Sequence, residues 1–96
     1  MNIKIDTVHF DADKKLVEFV EKKIGKLTKR SNDVLGADII LRLDKSITGE
    51  NKIAEIRLEV PGYDLFAKKQ AKSFEESVDL AASALEKQLE KYKNRK

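Results

Sequence analysis

Lysine and arginine side chains cluster in two segments of this 96-residue chain, where they could bind phosphate groups. Residues 21–30 contain five basic side chains and one acidic one, and residues 85–96 contain five basic and two acidic. Residues 31–67 instead carry four basic and seven acidic side chains. The net charge of +3 alone would not indicate a polyanionic ligand. The uneven distribution does, because clustered cations on an acidic body create a local positive potential.

Helical periodicity places most of these cations on the solvent side. Successive helix residues turn by about 100°, so Lys22 and Lys26 point away from a core that contains Val20. The same reasoning places Lys87 and Lys91 opposite Val78. The candidate phosphate-binding side chains are Lys22, Lys23, Lys26, Lys29, Arg30, Lys87, Lys91, Lys93 and Arg95. A surface charged only for solubility is the alternative, and cations near a helix C-terminus also stabilise the helix dipole.

Composition predicts one domain, spanning residues 1–96, in the cytoplasm. The chain contains no cysteine, whereas small secreted domains usually need disulfides. No apolar run approaches the roughly 20 residues of a membrane span. The N-terminus lacks the apolar segment of a signal peptide. We therefore expect no membrane partner.

Apolar periodicity predicts the element order β-α-β-β-β-α. The strands contain Ile3, Ala37, Ala54 and Tyr63, and the helices run from Asp11 or Asp13 to about Lys29 and from Ser73 onward. Ser73 and Glu76 have the spacing of a capping box, and Pro61-Gly62 predicts a turn.

This order predicts an α+β, two-layer sandwich similar to a double-stranded-RNA-binding domain. The first two strands flank a helix, so they should be parallel, and the later strands should form antiparallel hairpins. The four-stranded mixed sheet would then bury one face under both helices and expose the other. The helices should run parallel, which brings their basic ends to the same end of the molecule.

Catalytic and metal-binding patterns have little support. His9 is the only histidine, so neither a zinc site nor a catalytic triad is indicated. The carboxylates are scattered, and Thr48-Gly49-Glu50 is too short to cradle phosphate. Phe66 and Tyr63 could stack on bases, although we expect Tyr63 to pack in the core. The sequence thus predicts a non-enzymatic protein without cofactor, metal or small-molecule substrate.

The element order and two helical runs resemble the ribosome hibernation promoting factor / ribosome-associated inhibitor A family, also called the sigma-54 modulation protein family. The runs are residues 16–27 and residues 84–93, where Leu85-Glu86-Lys87-Gln88-Leu89 precedes a Lys-x-Lys tail. The resemblance covers the whole chain and departs from the family pattern over residues 68–77. It implies a short-type member without the C-terminal dimerisation domain, and we expect a monomer when free.

The resemblance further implies a translation inhibitor that binds the small ribosomal subunit in the channel for mRNA and tRNA. It would contact 16S rRNA in stationary phase or stress. The matching positions are Lys22, Lys23, Lys26, Lys29, Lys87, Gln88, Lys91, Lys93 and Arg95. Interleaved Glu86 and Glu90 should weaken that contact. The sequence leaves two other functions open, a generic double-stranded-RNA-binding module and a charged protein-interaction domain.

Overall fold

The computed structural model describes residues 2–45 and 49–94 and contains six elements in the predicted order. They are β1 (Asn2–Val8), α1 (Lys14–Thr28), β2 (Gly36–Leu43), β3 (Lys52–Val60), β4 (Tyr63–Ala71) and α2 (Phe74–Asn94). Arg95, one of the candidate phosphate-binding residues, lies outside the described residues, as does part of the loop between β2 and β3.

The four strands form one mixed sheet in the order β1-β2-β3-β4. β1 pairs in parallel with β2, and β2, β3 and β4 pair as antiparallel neighbours. In register, Ile5 lies beside Ile39, Ile39 beside Ile56, and Ile56 beside Ala67. This row lies on the face covered by the helices, which confirms the predicted α+β sandwich.

The core joins that sheet face to one apolar stripe on each helix. Val20 and Ile24 of α1, and Val78 and Leu85 of α2, are fully buried. Burying a side chain of this size contributes about 1.5–3 kcal/mol. Alternation in the strands and 3.6-residue periodicity in the helices therefore position both helices on the same side of the sheet.

Local signals in the sequence set the starts of the helices. The Asp13 carboxylate accepts a hydrogen bond from Leu16 N–H (2.8 Å), so Asp13 caps α1. The Ser73 hydroxyl accepts one from Glu76 N–H (3.1 Å), which is one of the two bonds of a capping box.

Tyr63 does not pack in the core as predicted, because its side chain is 48% exposed. It is the first residue of β4, at the rim of the sheet. The end of α2 reaches this position. The Tyr63 ring meets the Tyr92 ring edge-on with 5.3 Å between centroids, and the Tyr92 hydroxyl donates to the Pro61 carbonyl (3.2 Å).

Candidate nucleic-acid interface

The two helices lie side by side and run parallel, as predicted. The Lys23 ammonium lies 2.8 Å from the Asp79 carboxylate, and the Arg30 guanidinium lies 3.0 Å from the Glu86 carboxylate. Each ion pair joins a basic residue of α1, or of the segment just after it, to an acidic residue of α2. The pair that comes later in the first segment also comes later in α2, so the two helices run in the same direction. The C-terminal ends of both helices, where the basic side chains cluster, therefore lie at the same end of the molecule.

The acidic flank of α2 faces α1. This contact explains why acidic side chains collect on one flank of α2 and basic side chains on the facing flank of the α1 segment. Lys23 and Arg30 use their charge within the molecule, and the Lys93 ammonium donates to the Arg30 carbonyl (2.7 Å). The charged groups of both ion pairs are partly exposed. Each pair therefore contributes at most about 1 kcal/mol. Three of the candidate phosphate-binding side chains thus also hold the helix layer together.

Five other candidate side chains project from the helix layer into solvent. We call them the outer lysine surface: Lys22, Lys26, Lys29, Lys87 and Lys91. Within residues 2–45 and 49–94, none of the five forms an ion pair. A lysine ammonium is a compact charge with three donors, well suited to phosphate oxygens. Binding to a phosphodiester backbone would therefore not require breaking an ion pair among the described residues.

Gln88 has a structural task on the opposite flank of α2. Its side-chain N–H donates to the Phe66 carbonyl (2.8 Å), and its side-chain oxygen accepts from Phe66 N–H (3.3 Å). β4 is an edge strand, so these backbone groups have no partner strand. The Gln88 amide supplies that partner, and it lies beside the outer lysine surface without belonging to it.

The interhelical ion pairs were not recognised from the sequence, although their spacing carries a signal. Lys23 and Arg30 are seven residues apart, as are Asp79 and Glu86. Seven residues correspond to about two helical turns, so equal spacing of opposite charges on two parallel helices predicts paired flanks. Glu86, which the sequence suggested would weaken an RNA contact, is engaged by Arg30.

The open face of the sheet mixes charges that neutralise one another. Arg57 pairs with Asp38 and lies 3.8 Å from Asp64, and Arg42 lies 3.3 Å from Glu55. The hydrogen bond and charge of Asp38 raise the pKa of Arg57 above its ordinary value, so Arg57 stays cationic. A guanidinium already bound to carboxylates is a poor phosphate ligand. Among the described residues, Lys4 and Lys68 are exposed on this face and form no ion pair, so the exposed Phe66 ring lies on a face with fewer unpaired cations than the helix layer.

The described part of the chain contains no group of three or more metal-ligating side chains. His9 is exposed where β1 ends, with φ of 70° and its Nδ1 3.4 Å from the Leu43 carbonyl oxygen. Among the helices that the structure describes, none combines the length and apolar character needed to cross a membrane.

Comparison with known proteins links the fold to one family. The sequence profile of "Sigma 54 modulation protein / S30EA ribosomal protein" matches residues 3–96. A structure described as a ribosomal subunit interface protein from Coxiella burnetii is 28% identical, with a TM-score of 0.85 over 98% of this chain and 99% of that one. The Protein Y N-terminal domain of Thermus thermophilus is 24% identical, with a TM-score of 0.79 over 96% and 99% of the two chains, and shares the fold. The search of curated proteins gave no match.

Proposed function

The chain belongs to the Sigma 54 modulation protein / S30EA ribosomal protein family, and we propose that it is a ribosome-associated translation inhibitor, or hibernation factor. It binds 16S rRNA of the small ribosomal subunit, in the channel used by mRNA and tRNA. Occupying that channel blocks translation in stationary phase or stress. The protein binds as a single cytoplasmic domain and catalyses no reaction. The 28% identical relative, described as a ribosomal subunit interface protein, supports the ribosome as partner.

The observation that carries this proposal is the outer lysine surface. Its five ammonium groups lie on both helices and make no ion pair within the described residues. Helix side chains spread over a surface follow an RNA backbone by its shape, without reading bases. If all five contact phosphates, the logarithm of affinity falls with the logarithm of salt concentration with a slope of about −4.

The remaining candidates contribute indirectly. Lys23, Arg30 and Lys93 fix the distance between the helices, because each makes a contact between the α1 segment and α2. They thereby preserve the spacing of the free lysines on either side. Gln88 fixes the height of α2 on the sheet edge. These residues position the outer lysine surface, and its five lysines supply most of the attraction.

Charge reversal on α2 tests the proposed surface. The variant Lys87→Glu/Lys91→Glu should lose binding to small ribosomal subunits at about 0.1 M salt, where surface charges still act over about 10 Å. Both side chains are exposed, so the variant should fold normally. Binding is measured by co-sedimentation, and folding by thermal denaturation.

The matched control is Lys14→Glu/Lys72→Glu, which changes the net charge equally near the N-terminal ends of the helices. Lys14 begins α1, and Lys72 lies two residues before α2. Negative charge is tolerated at helix N-termini. The control should retain most of the affinity. Equal losses in both variants would indicate a general charge effect, and full binding by Lys87→Glu/Lys91→Glu would refute the site.

A generic duplex-binding module would use the same surface, since it shares the helix-on-sheet arrangement. Competition separates the two functions. Binding in the ribosomal channel should be displaced by mRNA or tRNA bound to the small subunit, whereas a duplex-binding module should be displaced by free double-stranded RNA.

A further inference from the structure

The two edge strands of the sheet differ in the hydrogen bonding of their outward-facing backbone groups. At β4, the Gln88 amide occupies the N–H and C=O of Phe66. At β1, within residues 2–45 and 49–94, the backbone has no hydrogen-bond partner outside its pairing with β2. An uncovered edge strand is a template for another strand. Among the described residues, the whole β1 edge is thus open to a further strand, whereas the β4 edge is interrupted at Phe66.

The side chains of β1 are complementary to a second β1 running in the opposite direction. Lys4 and Asp6 are exposed on the open face and form no ion pair within the described part of the chain. Ile3 and Ile5 point to the helix side but are only half-buried. The helix layer thus leaves apolar surface uncovered at this edge, beside the Lys4 ammonium and the Asp6 carboxylate.

We propose that β1 strands of two copies of this chain pair antiparallel about a two-fold axis at Ile5. Opposite residues in this register are Lys4 and Asp6, Ile3 and Thr7, and Ile5 with itself. Both Lys4–Asp6 pairs are opposite in charge, and Ile5 contacts Ile5 on the helix side. Each pair joins two odd-numbered or two even-numbered residues, so the backbone N–H and C=O groups that point outward from one strand lie opposite those of the other. Every outward-facing backbone group of the paired region therefore obtains a hydrogen-bond partner. The product is one eight-stranded sheet with self-complementary symmetry.

Charge also selects the register. A shift that centres the axis on Lys4 places Lys4 opposite Lys4, and a shift that centres it on Asp6 places Asp6 opposite Asp6. Like charges directly opposite are destabilising. A two-fold axis that lies between two residues, either Lys4 and Ile5 or Ile5 and Asp6, would place a polar side chain opposite an apolar one on each face. Of the registers centred between Lys4 and Asp6, only the Ile5-centred pairing places opposite charges together on the open face without putting a polar side chain opposite an apolar one there.

The dimer leaves the outer lysine surface free, because the strands meet edge to edge and the helices stay on one face. Self-association is thus independent of the proposed ribosome binding. An interface of one short strand per copy is small, and small interfaces are weak. The monomer predicted from the sequence prevails in dilute solution, and the dimer forms as the concentration approaches the millimolar range.

Charge variants test this pairing by sedimentation velocity up to about 1 mM protein, the range of weak association. Lys4→Asp and Asp6→Lys each place like charges opposite one another twice per dimer, so each should weaken self-association about tenfold or more. An equimolar mixture of the two single variants restores opposite charges at both positions and should associate. The double variant Lys4→Asp/Asp6→Lys should associate about as strongly as the unmodified chain.

The double variant keeps the net charge and both residue types, so it also controls for folding, which circular dichroism checks in every variant. Rescue in the mixture and in the double variant supports the Ile5-centred pairing. A chain that remains monomeric at about 1 mM overturns the proposal. Self-association unchanged by Lys4→Asp and Asp6→Lys also overturns it, since another surface would then be responsible.

Discussion

At the scale of single residues, position in the fold separates side chains that the sequence grouped together. Lys23 and Arg30 are bound to acids of α2, whereas Lys22, next to Lys23, and Lys26, about one turn from both, point to solvent. Gln88 follows Lys87 directly, but its amide is held by the backbone of β4. Residue type alone does not distinguish a ligand-binding side chain from a structural one; the partner within the molecule does.

Replacement of Gln88 tests this distinction. Gln88→Ala removes both hydrogen bonds to Phe66 and leaves an edge strand unpaired. The free energy of unfolding should fall by about 1 kcal/mol, because two partly exposed hydrogen bonds are replaced by water. Urea denaturation measures the change, with the neighbouring exposed substitution Lys87→Ala as control.

Gln88→Ala should also retain binding to small ribosomal subunits, because the outer lysine surface is unchanged. Equal stability of Gln88→Ala and Lys87→Ala would contradict a structural task for the amide. Loss of ribosome binding in a folded Gln88→Ala protein would make Gln88 a direct RNA contact.

At the scale of elements, the helix layer is a pair of parallel helices joined by opposite charges above an apolar core. The β-α-β unit directs α1 back along β1, and the hairpins make β4 parallel to β1, so α2 follows the same direction. The seven-residue spacing from Lys23 to Arg30, just past the end of α1, matches that from Asp79 to Glu86 and aligns the two ion pairs. The result is a pair of joined helices that presents the outer lysine surface on one side of the molecule.

Replacing either of two glycines by alanine should have opposite effects on stability. Gly25 lies within α1, where an added Cβ would meet no atom within 4 Å. Gly62 has φ of +95° in the turn between β3 and β4. Gly25→Ala should raise the free energy of unfolding by about 0.5–1 kcal/mol, since alanine favours the helix.

The control Gly62→Ala should lower the free energy of unfolding by about 1–2 kcal/mol, because a left-handed conformation strains an L-residue. Both values come from urea denaturation. A destabilised Gly25→Ala protein would show that the backbone of α1 at this position, or its solvent face, is more constrained than the structure indicates.

The elements were predictable from sequence to a greater extent than the site. The alternation of apolar residues around Ile39 and Ile56 admits one way of burying apolar surface, and so does the helical periodicity around Val20 and Val78. The order of the elements and the topology of the sheet follow from these patterns. The partners of Arg30 and Gln88 depend on which flank of one element lies against another. That relation is set by packing across the chain, and local patterns do not contain it. Tyr63 was assigned to the core for the same reason, since its place at the rim depends on where α2 ends.

At the scale of the whole molecule, the two layers have different electrostatic characters. The helix layer presents lysines without partners among the described residues, and the open sheet face presents cations such as Arg57 already bound to carboxylates. Among the described residues, the helix layer therefore offers a polyanion the larger group of unpaired cations, while the open face offers Lys4 and Lys68. The uncovered β1 edge lies between these two faces and can serve a second copy without blocking the first surface.

The central claim is that the outer lysine surface binds the small ribosomal subunit in its mRNA and tRNA channel, and co-sedimentation with vacant small subunits tests it most directly. Binding should occur at low salt and fall with a log–log slope of about −4 as salt rises. Prebound mRNA or tRNA should prevent it. Absence of co-sedimentation at low salt, or binding that neither salt nor prebound RNA reduces, would contradict the claim.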